Sequence, residues 1–411
     1  MEGRAMTGFG VGRVVLLAVL LLGVSPLRAA QAPAFMLVGL DGKTFFDPAG
    51  GRNGPNGGDA IAFIDVRDEA HPQVATTMLL DNSVYGPPTN LQITPDGRLG
   101  LVASSVTMRQ EEPKEGEAKD SEGSDRPWYA QPDDRLHVLD LTSDPPQLVE
   151  TITVGRQPSG LAINGAGDLA LVANREGKSV TVLSIAGNKV MPIGTVDVGD
   201  EAAAVAISPN GQRAFVAKNK AGKIGVLKIE GTTVTYDPAQ DMPVGAGVYG
   251  IEVTPDARLA LTANTGATPS DGNADSVSVI DANLGTPKVV DWLGVGDTPE
   301  SIDIAPDGRH AALAVVRGSA APQSSPNYGP KGLTVLLTID SDGSVHVTGA
   351  AEAGAVPQGV AFSPSGRFVY VGNYVDRTLQ VFRVESDALV ATGIKLQLPG
   401  QPASLRGRAR G

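Results

Sequence analysis

Six segments of the chain follow one template. They begin at Pro88 (PTNLQITPDGRLGLVASS), Pro158, Ala202, Val248, Pro299 and Pro357. Each is a short apolar run, a turn of Pro-Asp-Gly type, and a second apolar run. The turn anchors are Pro95, Gly165, Pro209, Pro255, Pro306 and Pro364, so successive gaps are 70, 44, 46, 51 and 58 residues. A repeat of this length made of short strands is the signature of a β-propeller blade. One such blade leaves both faces of its sheet apolar, so blades must stack around a ring.

The template also counts the blades. Each unit holds four strand-like runs, here lettered A to D. In the third blade they are predicted at Gly160–Ile163, Leu169–Ala173, Ser179–Ile185 and Ile193–Val198. Two incomplete pieces remain. Phe35–Leu40, Ala60–Val66 and Val74–Leu80 match strands B, C and D with no strand A before them. Gly400-QPASL matches the start of a strand A. Together they make one blade, which predicts an all-β, seven-bladed propeller of four-stranded blades. The C-terminal strand A closes the ring on the N-terminal strands B–D and removes open sheet edges.

Composition supports a single repeat domain over residues 31–411. The 51 Gly and 30 Pro lie in turns between apolar strands. Residues 1–30 read as a signal peptide. Arg4 and Arg13 precede the apolar run Val14–Val24, and processing is expected between Ala29 and Ala32. Retention of this segment as an anchor is the other reading. No later run is long enough to span a membrane, which predicts a periplasmic or secreted protein. The chain has no cysteine, which excludes disulfides, thiolate metal sites and covalent c-type haem. The net charge is −12, and loss of Glu2, Arg4, Arg13 and Arg28 makes it −14. Such a surface disfavours nucleic acid and anionic lipid. The expected partner is a periplasmic protein or a small ligand, met by a monomer, with no cofactor.

If strand A runs from the top face to the bottom, the long insertions all fall on B–C loops of the top face. They are Asp41–Asp59, Val106–Asp134, Thr265–Asp275 and Arg317–Lys331, in blades one, two, five and six. Insertions confined to one face suggest function there. Within the second, Arg109–Arg126 is so charged and poor in apolar residues that it reads as disordered, and Pro127-WYAQP is expected to touch the top face. Six of the nine Trp and Tyr residues map to the same face: Tyr85, Trp128, Tyr129, Tyr249, Tyr328 and Tyr374. They suit a binding surface, or they pin long loops to the scaffold. Arg156 joins them from a D–A link.

Strand A lines the channel. At one level stand Gln92, Ala162, Ala206, Glu252, Asp303, Ala361 and Arg406, and above them Thr89, Ser159, Ala203, Tyr249, Glu300, Gln358 and Ala403. Converging charge makes Glu252, Glu300, Asp303 and Arg406 the catalytic candidates and Gln92 a binding candidate. In the alternative, Arg406 only neutralises Asp303 or Glu252. None of the four histidines (His71, His137, His310, His346) falls on a strand A, so no channel histidine base is expected. Asp271, Asn273 and Asp275 begin like a calcium loop, but Ser276 and Ala282 stand where it needs Gly and an acid.

The segments LALVANREGKSVTVLSI and FVYVGNYVDRTLQVFRVE, with Asn174, Asn264 and Asn373 ending their strands, resemble the YVTN-type repeats of the lactonase-like propeller family. The resemblance spans residues 35–405 and implies seven blades and export. Members include lactonases, surface-layer-type proteins and propeller subunits of redox enzymes. The lactonases place a histidine, arginines and a glutamate at the channel mouth. Here the histidine is missing from matching positions. The expected function is a non-catalytic binding or scaffold propeller acting through its top face and channel. A lactonase-type hydrolase using the channel carboxylates and an accessory subunit of a periplasmic redox system are the alternatives.

Overall fold

The computed structural model describes residues 34–55, 57–82, 85–111, 127–266 and 270–410. The segment read as a signal peptide, and most of the charged stretch 109–126, lie outside them. Residues Ala34–Gly411 form one compact unit. It is a seven-bladed β-propeller, each blade an antiparallel meander. The predicted closure is present. Gln401–Arg406 pairs with Phe35–Asp41, followed outward by Ala60–Asp65 and Gln73–Leu79. Among the described residues no helix is long and apolar enough to cross a membrane.

Two local devices explain the repeat. In the A–B turn of blade 2, the Thr94 hydroxyl accepts from Leu99 N at 3.0 Å and donates to Asp96 at 2.6 Å. Asp96 in turn accepts from Arg98 N, and Gly97 sits at φ +77°, where a Cβ would be strained. The second device is the asparagine that ends strand B. In blade 5 the Asn264 amide donates to Ser276 and Ser278 at the start of strand C, at 3.1 and 3.0 Å. Asn174 and Asn373 bind their own strands C in the same way. The link before strand A passes so close that a Cβ on Gly245 would lie 2.4 Å from the Asn264 nitrogen. In blade 7 the link is bonded as well, Gly354 N donating to Asn373 Oδ1 at 2.8 Å, so that one side chain ties strand B, strand C and the incoming link.

Packing follows the ring. Each of the seven blade-to-blade interfaces holds its own apolar cluster. Strands B are buried on both sides, as in Leu169–Asn174, whereas outer strands alternate, as in Gln73–Leu79. The outer strand of blade 3 starts earlier than predicted, at Lys189, because the turn at Gly187 returns the chain at once.

The top face differs from expectation in two places. The insertion Val106–Asp134 is not all loop. Strands B and C of blade 2 run on as Leu99–Gln110 and Trp128–Asp140, a two-stranded ribbon longer than the blade. The first insertion carries a hairpin, Thr44–Asp47 paired with Gly50–Asn53. This hairpin crosses blade 7. Phe46 stacks edge-on against Tyr374 with centroids 5.6 Å apart, and Pro48 O accepts from Gln323 N of the blade 6 loop at 2.9 Å. The crescent of long loops is therefore continuous across the blade that lacks one.

Candidate functional site

The inner strand of each blade is a sheet edge facing the channel, so its backbone N–H groups need partners from elsewhere. Two channel candidates meet that need. Gln92 accepts from Ile163 N of the next blade at 3.0 Å, and Asp303 accepts from Phe362 N of the next blade at 2.7 Å. Both act as staples between neighbouring inner strands. The remaining charges pair among themselves. Arg406 reaches across the channel to Glu252, and its guanidinium is 4.0 Å from Asp303. Burial holds the Glu252 carboxyl above its ordinary value, against the pull of Arg406. The cavity left at this level is about 70 Å³, room for little more than water.

Sequence reasoning missed a further cation here. The segment Gly407–Arg410 crosses the floor of the channel. Gly407 O accepts from Ile93 N, and Ala409 N donates to Ile93 O at 2.7 Å. Arg410 then meets both oxygens of Asp303 end-on, through its two terminal nitrogens, at 3.2 and 3.3 Å and donates to Ile304 O. The sequence reading places Arg406 on the closing strand at the channel and assigns no role to the residues after it. The alternation of Arg406, Arg408 and Arg410 was the available signal.

The upper rim is a separate cluster. Tyr249 of blade 5 accepts from Gly86 N at 3.1 Å, so the buried link Gly86–Pro88 before blade 2 reaches over the channel mouth. The Arg175 guanidinium lies 5.6 Å from the centre of the Tyr249 ring, 3.0 Å from Asn219 Oδ1 and 3.4 Å from Glu201. Arg175 was not foreseen, although it directly follows the strand-ending Asn174. Beside them Glu300 is pushed up to about 7 by burial, against the pull of Arg175. Burial also raises the Tyr249 phenol. A carboxyl poised near neutrality beside an arginine and a tyrosine can exchange a proton or accept a ligand's hydrogen bond.

The shift in Glu300 has a testable sign. Below its ordinary value of 4.5 the carboxyl is neutral whether the chain is folded or not. Between there and about 7 the unfolded chain ionises first, so the folded state carries a growing cost, complete above that value. Glu300→Gln removes the titrating group. Its stability relative to the parent should rise with pH through that window and then level off. Denaturation midpoints across the range check this, and a constant difference between the two proteins would refute it.

The other candidates divide. Tyr374, expected on the binding surface, is fully buried, and its hydroxyl donates to Asp41 at 2.6 Å with Thr44 O 2.8 Å away as the other acceptor in reach. It holds the hairpin that covers it. Beneath the same hairpin Lys43 pairs with Asp59 and donates to Asn82 O at 2.6 Å, and burial pushes its ammonium down. Tyr85 is half-buried and bonded to Asn53 of the hairpin. Trp128 is half-buried, its indole edge close to Gly54. Tyr129, the next residue on the ribbon, is 48% exposed. Tyr328 is half-buried in the blade 6 loop. Arg156 is exposed and paired with Glu176 at 3.0 Å. The three candidate oxygen ligands do not converge: Asp271 accepts from Asn273, whereas Asp275 accepts from Thr298 N. Among the described residues no three acidic or histidine side chains gather as metal ligands. His137, at the top of a strand C, is buried and bonded to Thr151.

No protein-family model matches the chain, and no curated protein matches it in sequence. Solved structures are similar in fold. A functionally unknown protein from Desulfotomaculum acetoxidans is 14% identical with a TM-score of 0.64, over 92% of this chain and 99% of that one. The periplasmic gluconolactonase of Pseudomonas aeruginosa is 18% identical with a TM-score of 0.62, over 92% and 99%. The hydrazine synthase of Kuenenia stuttgartiensis is 17% identical with a TM-score of 0.56, over 80% and 91%. One architecture here carries unrelated activities, so the likeness establishes the fold and leaves activity to the site.

Proposed function

We propose that this chain is a YVTN-type propeller exported from the cytoplasm that acts as a binding or scaffold module through its top face. The observation that carries the reading is the state of the channel. Glu252 and Asp303 are paired with the chain's own Arg406 and Arg410, and the Gly86 link reaches over the mouth. Accessible recognition groups are found instead on the blade 2 ribbon, where Tyr129 stands out beside Trp128. An exposed aromatic on a rigid strand is a good anchor, since it gives contact area at small entropic cost.

A second reading, hydrolysis of a lactone, is favoured by Glu300 beside Arg175 at the rim. The two readings forecast opposite results. Replacing Trp128 and Tyr129 by Ala should weaken capture of the partner by about 2 kcal/mol or more, with Glu300→Gln and Asp303→Asn nearly neutral. A lactonase would lose about 10²-fold or more of its turnover in the amide variants and keep it in the Ala variants. The assays are capture from the native periplasm and a panel of lactones and esters, with melting curves confirming that each variant folds. Turnover abolished by the amide changes would overturn the binding reading.

A further inference from the structure

The segment Gly407–Arg410 is a partition. On one side is the small cavity lined by Gln92, Glu252, Asp303 and Arg406. On the other is an apolar recess of about 330 Å³ at the bottom face, walled by Phe35, Met36, Pro306, Phe362, Pro364 and Tyr370. Gly407, Arg408 and Arg410 line both. Moving the segment would join an acidic end to an apolar antechamber.

We infer that the channel floor is an alkylguanidinium-binding site, filled in cis by Arg410, and that residues 407–410 are its displaceable plug. Three observations agree. Two nitrogens of the Arg410 guanidinium meet the two oxygens of the Asp303 carboxylate while Ile304 O takes a further N–H, a paired contact that a guanidinium offers and the single nitrogen of an ammonium does not. Asp303 is buried, with 6% of its side chain exposed, whereas the Arg410 side chain is 35% exposed, so the acceptor is built into the scaffold and the donor is peripheral. The plug is held to the scaffold backbone by two hydrogen bonds to Ile93. An incoming ligand would place its planar head against Asp303 and Ile304 O and its aliphatic stem along Phe362, Pro306 and Pro364. This inference concerns the bottom face and stands independently of the top-face reading. Two sources carry this one chemistry, a free alkylguanidine and an arginine in another chain's segment.

The experiment is calorimetric titration of full-length parent and Arg410→Ala proteins with butylguanidinium, with butylammonium, and with the amidated peptide Gly-Arg-Ala-Arg. A tethered competitor acts at an effective concentration in the millimolar range, so its removal should tighten butylguanidinium binding by about tenfold or more. Butylammonium should bind more weakly, and adding Asp303→Asn should abolish the gain. Tighter binding of the peptide than of butylguanidinium supports the site and assigns it to a chain segment. Equal binding supports it and assigns it to a small ligand. An Arg410→Ala protein that melts like the parent yet takes neither guanidinium probe better than the parent overturns the inference. Arg410→Gln, which keeps the stem, serves if the Ala variant does not fold, with the same outcomes.

Discussion

Deleting Gln401–Gly411 should cause aggregation or lower the melting temperature by several degrees. The lost strand supplies register partners for Leu37 through Asp41 and buries Ala403, Ser404 and Leu405 almost completely. Leu405 alone is worth about 1.5–3 kcal/mol of burial. The larger cost is the exposed edge of Phe35–Asp41, which would offer its unpaired backbone to another molecule. Deleting only Gly407–Gly411 keeps the strand and removes the plug. It should cost less, because that segment contributes one buried apolar side chain, Ala409, and Asp303, which loses Arg410, still has the Arg406 guanidinium 4.0 Å away. Scanning calorimetry and light scattering of both truncations give the answer. A long truncation that melts like the parent would mean that ring closure contributes little.

The second large effect is expected from Arg406→Ala. Arg406 and Glu252 are 11% and 17% exposed in their side chains, so the change strands a carboxylate in the channel. Breaking a buried pair from one side costs about 3–5 kcal/mol. Because Glu252 is already pushed up by burial, loss of the cation pushes it further. Its protonation would then relieve the cost, so the deficit of Arg406→Ala should shrink as the pH falls. The double variant Arg406→Ala with Glu252→Ala should recover most of the loss. Denaturant titrations at several pH values test this. A double variant as unstable as the single one would show that Arg406 acts by packing and not by charge.

These effects mark the boundary of what the sequence discloses. Blade number, strand order and the shared first blade are legible because each follows from local patterns repeated along the chain. The levels of the channel are legible too, since a fixed offset from the strand start places Glu252, Asp303 and Arg406 in one layer. Which partner each takes is not. Asp303 meets Phe362 in the next blade and Arg410 from beyond the closing strand, and no periodicity encodes a contact between distant turns of the chain. Tyr374 reads as a surface residue for a related reason. Its position on a top turn is correct, but the hairpin that buries it comes from another blade. The ribbon of blade 2 was read as loop because its residues beyond the blade alternate polar and apolar too weakly to mark a strand. Its pairing of Gln110 with Trp128 extends a register set deeper in the blade.

The register of Leu37 with Arg406 also sets a timetable. On a chain made from its N-terminus, three strands of the first blade are complete before any other blade exists, and they wait for a fourth that comes after the six other blades. Every other blade can form from contiguous sequence. The unfinished sheet is thus the longest-lived edge during synthesis, and pairing so distant in sequence is slow to form. A chaperone that protects this protein during synthesis should bind its first strands, and the danger should end when residues 401–406 arrive.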